Sequence, residues 1–234
     1  MNLPFFYIES LSSDMQTYVL SEDTSKHIIQ VLRMKIGECI QLTDGKGNVL
    51  TAAIVDDHKK KCVVEKISFE SIPPLQHKIT IAISLIKNTS RFEWFLEKAT
   101  EIGVSTIIPL ICHRTEKQHF RLDRMKGILI SAMLQSKQAW LPELQEPVLY
   151  QEVIKKNVAA NKFIAHCDDD TTKIQLASLK KSSTSIILIG PEGDFTNDEI
   201  ALAKSNHYTA VSLGNNRLRT ETAGVVAVSL LNVE

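Results

Sequence analysis

Several absences narrow what this chain can be. No apolar run approaches the ~20 residues that span a bilayer. The first ten residues, MNLPFFYIES, hold no basic segment ahead of a long apolar core, so no signal peptide is expected and a cytoplasmic protein is. None of the four cysteines, Cys39, Cys62, Cys112 and Cys167, forms a CxxC pair, and their spacing fits no zinc site. Reduced, mostly buried thiols are expected. His166-Cys167-Asp168-Asp169-Asp170 reads as an exposed acidic loop after a strand, and no metal is expected. An excess of one charge is also missing: 27 Lys and Arg face 27 Asp and Glu. A protein that coats duplex nucleic acid would usually be basic, so any basic surface here is local. Neither GxGxxG nor GxxxxGK[ST] occurs, which removes the dinucleotide and P-loop fingerprints. There is no internal repeat and no low-complexity segment.

What is present changes character near residue 72. Before it the pattern is mostly β. LPFFYIE and MQTYVL are strand-like, and Ser21-Glu22-Asp23-Thr24 offers caps for a short helix carrying His27, Ile28, Val31 and Leu32. Asp44-Gly45 and Lys46-Gly47 separate two alternating runs, a hairpin signal. KCVVEKISFES supplies another strand, and several short strands with one helix suggest a small barrel. IPPL, residues 72 to 75, reads as a linker because two prolines resist both helix and central strand. After it strands and helices alternate. ITIAISLI is a buried strand. TSRFEWFLEKATEIGV is an amphipathic helix with Phe92, Phe95, Leu96 and Ala99 on one face, closed by Gly103. STIIPLI, NKFIAHCD, SIILIGPEGD and TAVSLG are further strands. RLDRMKGILISAMLQSKQAW reads as one long helix stopped before Pro142, and FTNDEIALAKSN and TETAGVVAVSLLN as two more. This alternation predicts a mostly parallel sheet with helices on both faces. The expected domains are residues 1–72 and 73–234.

Two strand-to-helix loops hold most of the chemistry: ILIGPEGDFTNDE and SLGNNRLRTET. In an open α/β sheet, ligands bind outside the carboxyl ends of the strands. The glycines of Gly190-Pro191-Glu192-Gly193 let backbone approach a ligand closely. The second loop crowds two arginines, two threonines and a glutamate into the mouth of a bland apolar helix, where free N–H groups suit polar or anionic ligands. A basic stretch, HRTEKQHFRLDRMK, residues 113 to 126, holds five Lys or Arg against two acids. It suits phosphate contact or an ordinary solvated helix face.

These pieces bear a resemblance. IILIGPEGDFTNDEI and VSLGNNRLRTETA, together with HIIQVLRMKIGE, TDGKG, FEWFLEKATEIGVSTIIPL and QSKQAWLPEL, resemble the RsmE family of the SPOUT methyltransferases. That family methylates N3 of a uridine in small-subunit (16S) ribosomal RNA. The resemblance implies a PUA-like β-barrel followed by an α/β SPOUT domain with a C-terminal deep trefoil knot. It also implies S-adenosyl-L-methionine as cofactor, a homodimer, and the assembled 30S subunit as substrate, with no membrane. Ile189, Gly190, Glu192 and Gly193 are then expected on one side of the cofactor pocket. Leu213, Gly214, Asn216 and Leu218 are expected on the other, with Thr220 and Thr222 at the helix mouth.

Within that frame Arg219 is expected to stabilise the uridine base or its carbonyl oxygens. Glu221 is either a proton acceptor or a favourable charge at a helix N-terminus. RNA contacts are expected at Arg33, Lys87, Arg91, Arg114, Lys117 and Gln135, each of which could also be a solvated charge or polar group. Trp94 reads as core, and Trp140 as open to base stacking. The chain departs from the family pattern at Asp194, where a third glycine is usual, and at Leu134 and Gln138, where many relatives carry Glu and Arg. Three readings stand at this point: the methyltransferase acting on ribosomal or another RNA, a non-catalytic RNA-binding protein, and an α/β nucleotide-binding enzyme of other chemistry.

Overall fold

The computed structural model describes residues 3–116, 119–167, 173–180 and 182–232. The chain divides into two compact units. The first runs to Pro74 and adds Met133–Leu141; the second comprises Leu75–Ala132 and the chain from Pro142 onward.

The first unit holds β1 (Phe5–Tyr7), β2 (Thr17–Val19), α1 (Glu22–Lys26), β3 (Cys39–Thr43), β4 (Asn48–Asp56) and β5 (Val63–Ser71). The strands form one sheet in the order β1-β3-β4-β5-β2, antiparallel except for the β1–β3 pair. Alternation sets its inner face: Ile40 and Leu42 on β3, and Leu50, Ala52 and Ile54 on β4, are all buried. The hairpin sits where expected. The Asp44 carboxylate accepts the Lys46 N–H at 2.9 Å and the Asn48 side-chain amide at 2.8 Å, which fixes the turn.

Two expectations fail here. The helix begins as read, with the Ser21 hydroxyl accepting the Thr24 N–H, but α1 ends at Lys26 and a π-helical turn follows over His27–Val31. That extra residue per turn rotates the apolar pattern. Ile28 is buried, while Val31 and Leu32 face solvent at 68% and 43% exposure. The long helix read up to Pro142 stops at Gln135, and Lys137 takes a left-handed conformation at φ 56. The residues after it join the first unit. The Gly47 N–H donates to Ala139 O at 2.9 Å, the Leu141 N–H to Gly45 O at 2.8 Å, and the Trp140 indole N–H to Ile72 O at 3.1 Å. A Cβ on Gly47, which has φ +89, would lie 2.5 Å from the Trp140 ring. Trp140 is thus packed on the hairpin turn.

The second unit is built on an eight-stranded sheet. Its elements in order are β6 (Lys78–Ser84), α2 (Thr89–Ile102), β7 (Thr106–Ile111), α3 (Leu122–Gln135, whose last residues belong to the first unit), β8 (Glu143–Leu144), β9 (Val148–Leu149), α4 (Tyr150–Lys156) and β10 (Asn161–Ala165). Then come β11 (Ile174–Gln175), a 3-10 turn (Leu176–Ser178), β12 (Thr184–Ile189), α5 (Asn197–Ser205), β13 (Thr209–Ser212) and α6 (Thr220–Asn232). The sheet order is β11-β13-β10-β12-β6-β7-β8, with β9 also on β7, and every pairing is parallel. Successive strand residues face opposite sides. Ala82, Ile108, Ile164, Ile186 and Leu188 pack with α4 and α5. Ile83 faces the other way, towards α2 and α6. A strand buried on both faces reads as an unbroken apolar run, as in IILI of β12.

The helices are shaped as their sequences suggest. Asn88 caps α2, Gly103 ends it at φ +104, and Phe92, Phe95, Leu96 and Ala99 are buried. Trp94, read as core, is 43% exposed on the outer side of the same helix. Thr196 and Glu199 form a full capping box on α5. Among the thiols, Cys62 and Cys112 are buried, Cys39 is half-buried and Cys167 is exposed, so burial holds for fewer of them than expected. No helix among the described residues is long and apolar enough to cross a membrane.

Candidate functional site

Three parallel strands, β10, β12 and β13, end side by side. Beyond their carboxyl ends lies a cavity of about 730 Å³. This size is ordinary for a small-molecule or cofactor site.

One wall is the turn after β12. The Asp194 N–H donates to Pro191 O at 2.9 Å and closes it. Asp194 stands at φ 62, a region asparagine and aspartate tolerate better than most residues. Its carboxylate accepts the Phe195 N–H at 2.8 Å and the Cys167 N–H at 2.7 Å. The second bond ties the turn to the chain leaving β10. A glycine would reach the same φ without either bond. Gly190 has no room to spare, since an added Cβ would lie 3.1–3.2 Å from the Phe195 ring and its backbone nitrogen.

The other wall is the loop after β13. Gly214 stands at φ +140, and the Ser212 hydroxyl both donates to Gly214 O at 2.9 Å and accepts its N–H at 3.3 Å. Thr220, in the first turn of α6, donates its hydroxyl to Gly190 O at 3.1 Å and so ties the two walls together.

The structure brings most of the expected cofactor residues to this cavity. Ile189, Gly190, Glu192, Leu213, Gly214, Asn216, Leu218 and Thr220 line it, as does Arg219. Three do not. Gly193 lines a smaller neighbouring cavity of about 250 Å³, where Arg114 Nη1 donates to its carbonyl at 2.6 Å. Thr222 lies half-buried on α6. Glu221 is buried, 6% exposed, at the start of α6. Sequence reasoning missed other lining residues: Ala165, His166 and Cys167 at the end of β10, Lys173 before β11, and Ser212. The rule that ligands sit beyond strand carboxyl ends applies equally to β10 and could have found the first three.

The expected RNA residues are divided between the two units. Arg33, exposed at φ 57, and exposed Gln135 belong to the first unit. In the second unit Lys87 and Arg114 line the smaller cavity, with Lys87 3.2 Å from the Glu116 carboxylate. Arg91 lines the larger one. Its Nη1 is 3.7 Å from Glu192 and its Nε 3.7 Å from Glu221. Lys117 lies outside the described residues, as do Asp168, Asp169 and Asp170. No group of three His, Cys, Asp or Glu side chains placed to hold a metal occurs among the described residues.

Behind the β12 turn the packing is apolar. Burial pushes the Cys112 thiol up to about 12, with Glu199 adding to the effect, and raises the Tyr150 phenol; burial also pushes Tyr208 up to about 12. These groups stay neutral. The Tyr150 hydroxyl donates to Glu199 O at 2.7 Å, which steadies α5 beneath the turn.

A parallel α/β unit with two such loops walling a cavity is the architecture of an RNA methyltransferase domain, and residues 73–232 match the family described in those words. Residues 20–67 match the RNA methyltransferase PUA domain. A ribosomal RNA small subunit methyltransferase E from Rickettsia conorii is 30% identical over 229 residues, covering 95% of this chain and 92% of that protein. The crystal structure of a ribosomal RNA small subunit methyltransferase E from Neisseria gonorrhoeae, bound to S-adenosyl methionine, is 31% identical with a TM-score of 0.87, covering 97% of this chain and 95% of that one. A probable rRNA-methyltransferase from Porphyromonas gingivalis is 37% identical with a TM-score of 0.89 and coverage of 97% and 95%. The chain belongs to the ribosomal RNA small subunit methyltransferase E family.

Proposed function

We propose that this protein transfers a methyl group from S-adenosyl-L-methionine to N3 of a uridine in small-subunit ribosomal RNA. The observation that carries this reading is the cavity of about 730 Å³ beyond β12 and β13, lined by the two loops that resemble the family's cofactor loops. The residues present fit the cofactor. Gly190 leaves no space for a side chain, and the Gly214 backbone is open, with nothing within 4 Å of an added Cβ. At these glycines no side chain covers the backbone, and backbone amides and carbonyls suit an adenine edge, beside the Glu192, Asn216, Arg217 and Arg219 side chains of the same walls. When bound, the cofactor supplies an activated methyl on a sulfonium. The protein's part is to orient the acceptor base in line with it and to keep competing groups out. Arg219, exposed at the cavity rim, is assigned to the base or its carbonyl oxygens.

The PUA-like unit, with Arg33, and the cations Lys87 and Arg114 are assigned to RNA contact. The working form is a cytoplasmic homodimer acting on the assembled 30S subunit, with the C-terminal loops crossing as the trefoil knot of its class. The test pairs calorimetric titration of the cofactor with transfer of its labelled methyl group to small subunits from cells lacking this activity. Cofactor binding and label in the RNA are expected. Binding of RNA without binding of cofactor would refute the enzyme reading in favour of a non-catalytic RNA-binding protein.

A further inference from the structure

Arg91 is placed unlike any other residue around the larger cavity. The remaining lining residues come from the carboxyl ends of β10, β12 and β13 and the chain that follows them, or from the start of α6. Arg91 alone reaches in from α2. Its guanidinium stands between two carboxylates, Glu192 on the β12 turn and Glu221 on α6, each at 3.7 Å. That distance is ion-pairing without a hydrogen bond. Among the described residues no oxygen accepts a hydrogen bond from this side chain, so its planar fork of donors remains free while its position is set electrostatically.

Glu221 is the other half of the arrangement. Its side chain is 8% exposed, against 38% for Arg91, and its Oε2 has no hydrogen-bond partner. A buried carboxylate that spends neither a bond nor solvent contact on one oxygen is costly. A charge that serves only the helix N-terminus could sit at the surface. Glu221 does not line the cavity, whereas its partner Arg91 does. This geometry suits a counter-ion that holds a guanidinium at the cavity wall better than a base that touches substrate.

We propose that Arg91 is a catalytic residue that grips one carbonyl oxygen of the target uracil and holds its imide as the anion, and that Glu221 is a positioning residue that aims Arg91. This rests on the uridine-N3 reading given above. The imide N3–H is a weak acid whose lone pair becomes nucleophilic once the proton has left. The proton goes to water. N3 then forms the new N–C bond as the methyl carbon parts from sulfur, which keeps the bonding pair and leaves as a neutral thioether. An arginine cannot take the proton, because it stays charged. It can hold negative charge spread over O2, N3 and O4, and its fork can donate twice to one carbonyl oxygen while the N3 lone pair stays open to the methyl group. Besides Glu192, the charged or titratable side chains on the same cavity among the described residues are His166, Cys167, Lys173, Asp194, Arg217 and Arg219, and Glu221 faces Arg91 from behind it.

The test is the pH dependence of single-turnover methylation on small subunits, read for wild type and for Arg91→Gln, Arg91→Lys, Glu221→Gln and Glu221→Asp. Thermal melting confirms that each variant is folded. A facing cation lowers an acid's pKa by about 1–3 units, so Arg91→Gln is expected to move the inflection up by that much and slow the neutral-pH rate by about 10–1,000-fold. Arg91→Lys keeps charge but loses the fork, and should fall between. Glu221→Gln separates two ideas by sign. If Glu221 acts only through space, removing its negative charge lowers the inflection. If it aims Arg91, the inflection rises, and Glu221→Asp restores part of the rate. A readout free of turnover follows from linkage: wild-type affinity for the subunits, measured without cofactor, should tighten as pH rises, and Arg91→Gln should lose that gain. Arg91 variants that keep the wild-type inflection would overturn the proposal while leaving the uridine reading intact. A wild-type protein that leaves uridine unmethylated would overturn both.

Discussion

At Gly224 the last helix lies close against the rest of the second unit. The buried stripe of α6 runs Thr220, Glu221, Gly224, Ala227, Val228 and Leu231, a helical spacing that faces inward. A Cβ on Gly224 would stand 2.6 and 2.8 Å from two ring carbons of Phe95 and 2.8 Å from Ile83 Cδ1. Ordinary carbon contacts lie near 3.5–4.0 Å, so Gly224→Ala demands about 1 Å of movement. Phe95 has no exposed surface and also meets Phe92 at a ring distance of 5.8 Å, so the ring cannot step aside. Such overpacking costs about 1–3 kcal/mol. Against it stands the gain of about 0.8–1.0 kcal/mol for replacing glycine by alanine within a helix. Contacts of 2.6–2.8 Å put this site at the upper end of that cost, so the net expectation is a loss of about 2 kcal/mol, or about 4–8 °C in Tm at this chain length. Because α6 opens with Thr220, which holds the Gly190 carbonyl, cofactor affinity should fall as well. Calorimetric melting and cofactor titration read both effects, and Phe95→Leu in the same chain should recover part of the loss. A Gly224→Ala protein as stable as wild type, or more stable, would mean that α6 does not pack this closely.

Other outcomes follow from the same geometry. Asp194→Gly keeps the left-handed turn but removes two backbone-to-carboxylate bonds, and denaturant melts should show a loss of about 1–3 kcal/mol with weaker cofactor binding. Gly214→Ala meets no steric obstacle, yet its φ of +140 is strained for any side chain at a cost of about 1–3 kcal/mol; titration should show weakened cofactor binding. Alkaline pH should destabilise the fold. Cys112 and Tyr208 ionise near 9.0 and 10.0 when unfolded but only near 12 when folded, so above pH 9 the folded state binds more protons. Stability is then full below pH 9 and falls as pH rises towards 12, which chemical denaturation across that range can follow. Cys112→Ala should flatten the first part of the fall, and a stability that holds level above pH 9 would contradict the burial of these groups.

Much of the fold was legible because its signals are local. The α2 stripe, the Thr196 cap, the Asp44 turn and the apolar strands each depend on neighbours a few residues apart. The π-turn at His27–Val31 was not, since one extra residue per turn leaves the composition unchanged while moving Val31 and Leu32 to the surface. The return of Met133–Leu141 to the first unit depends on Trp140 meeting Gly47 and Ile72, residues far apart in sequence. Short elements such as β8, β9 and α4 were passed over, because two-residue strands have no period to read. At the site, the two glycine-bearing loops were visible as motifs. The Arg91 pairing was not, because it joins α2 to the turn after β12 and to α6, which are distant in sequence.

The most direct test of the central claim is the identity of the modified nucleotide. Small subunits from cells lacking this protein would be incubated with it and labelled S-adenosyl-L-methionine, and their RNA digested and mapped by mass spectrometry. Label on N3 of a single uridine is the expected result. Label on another base, or none in the RNA despite measured cofactor binding, would contradict it.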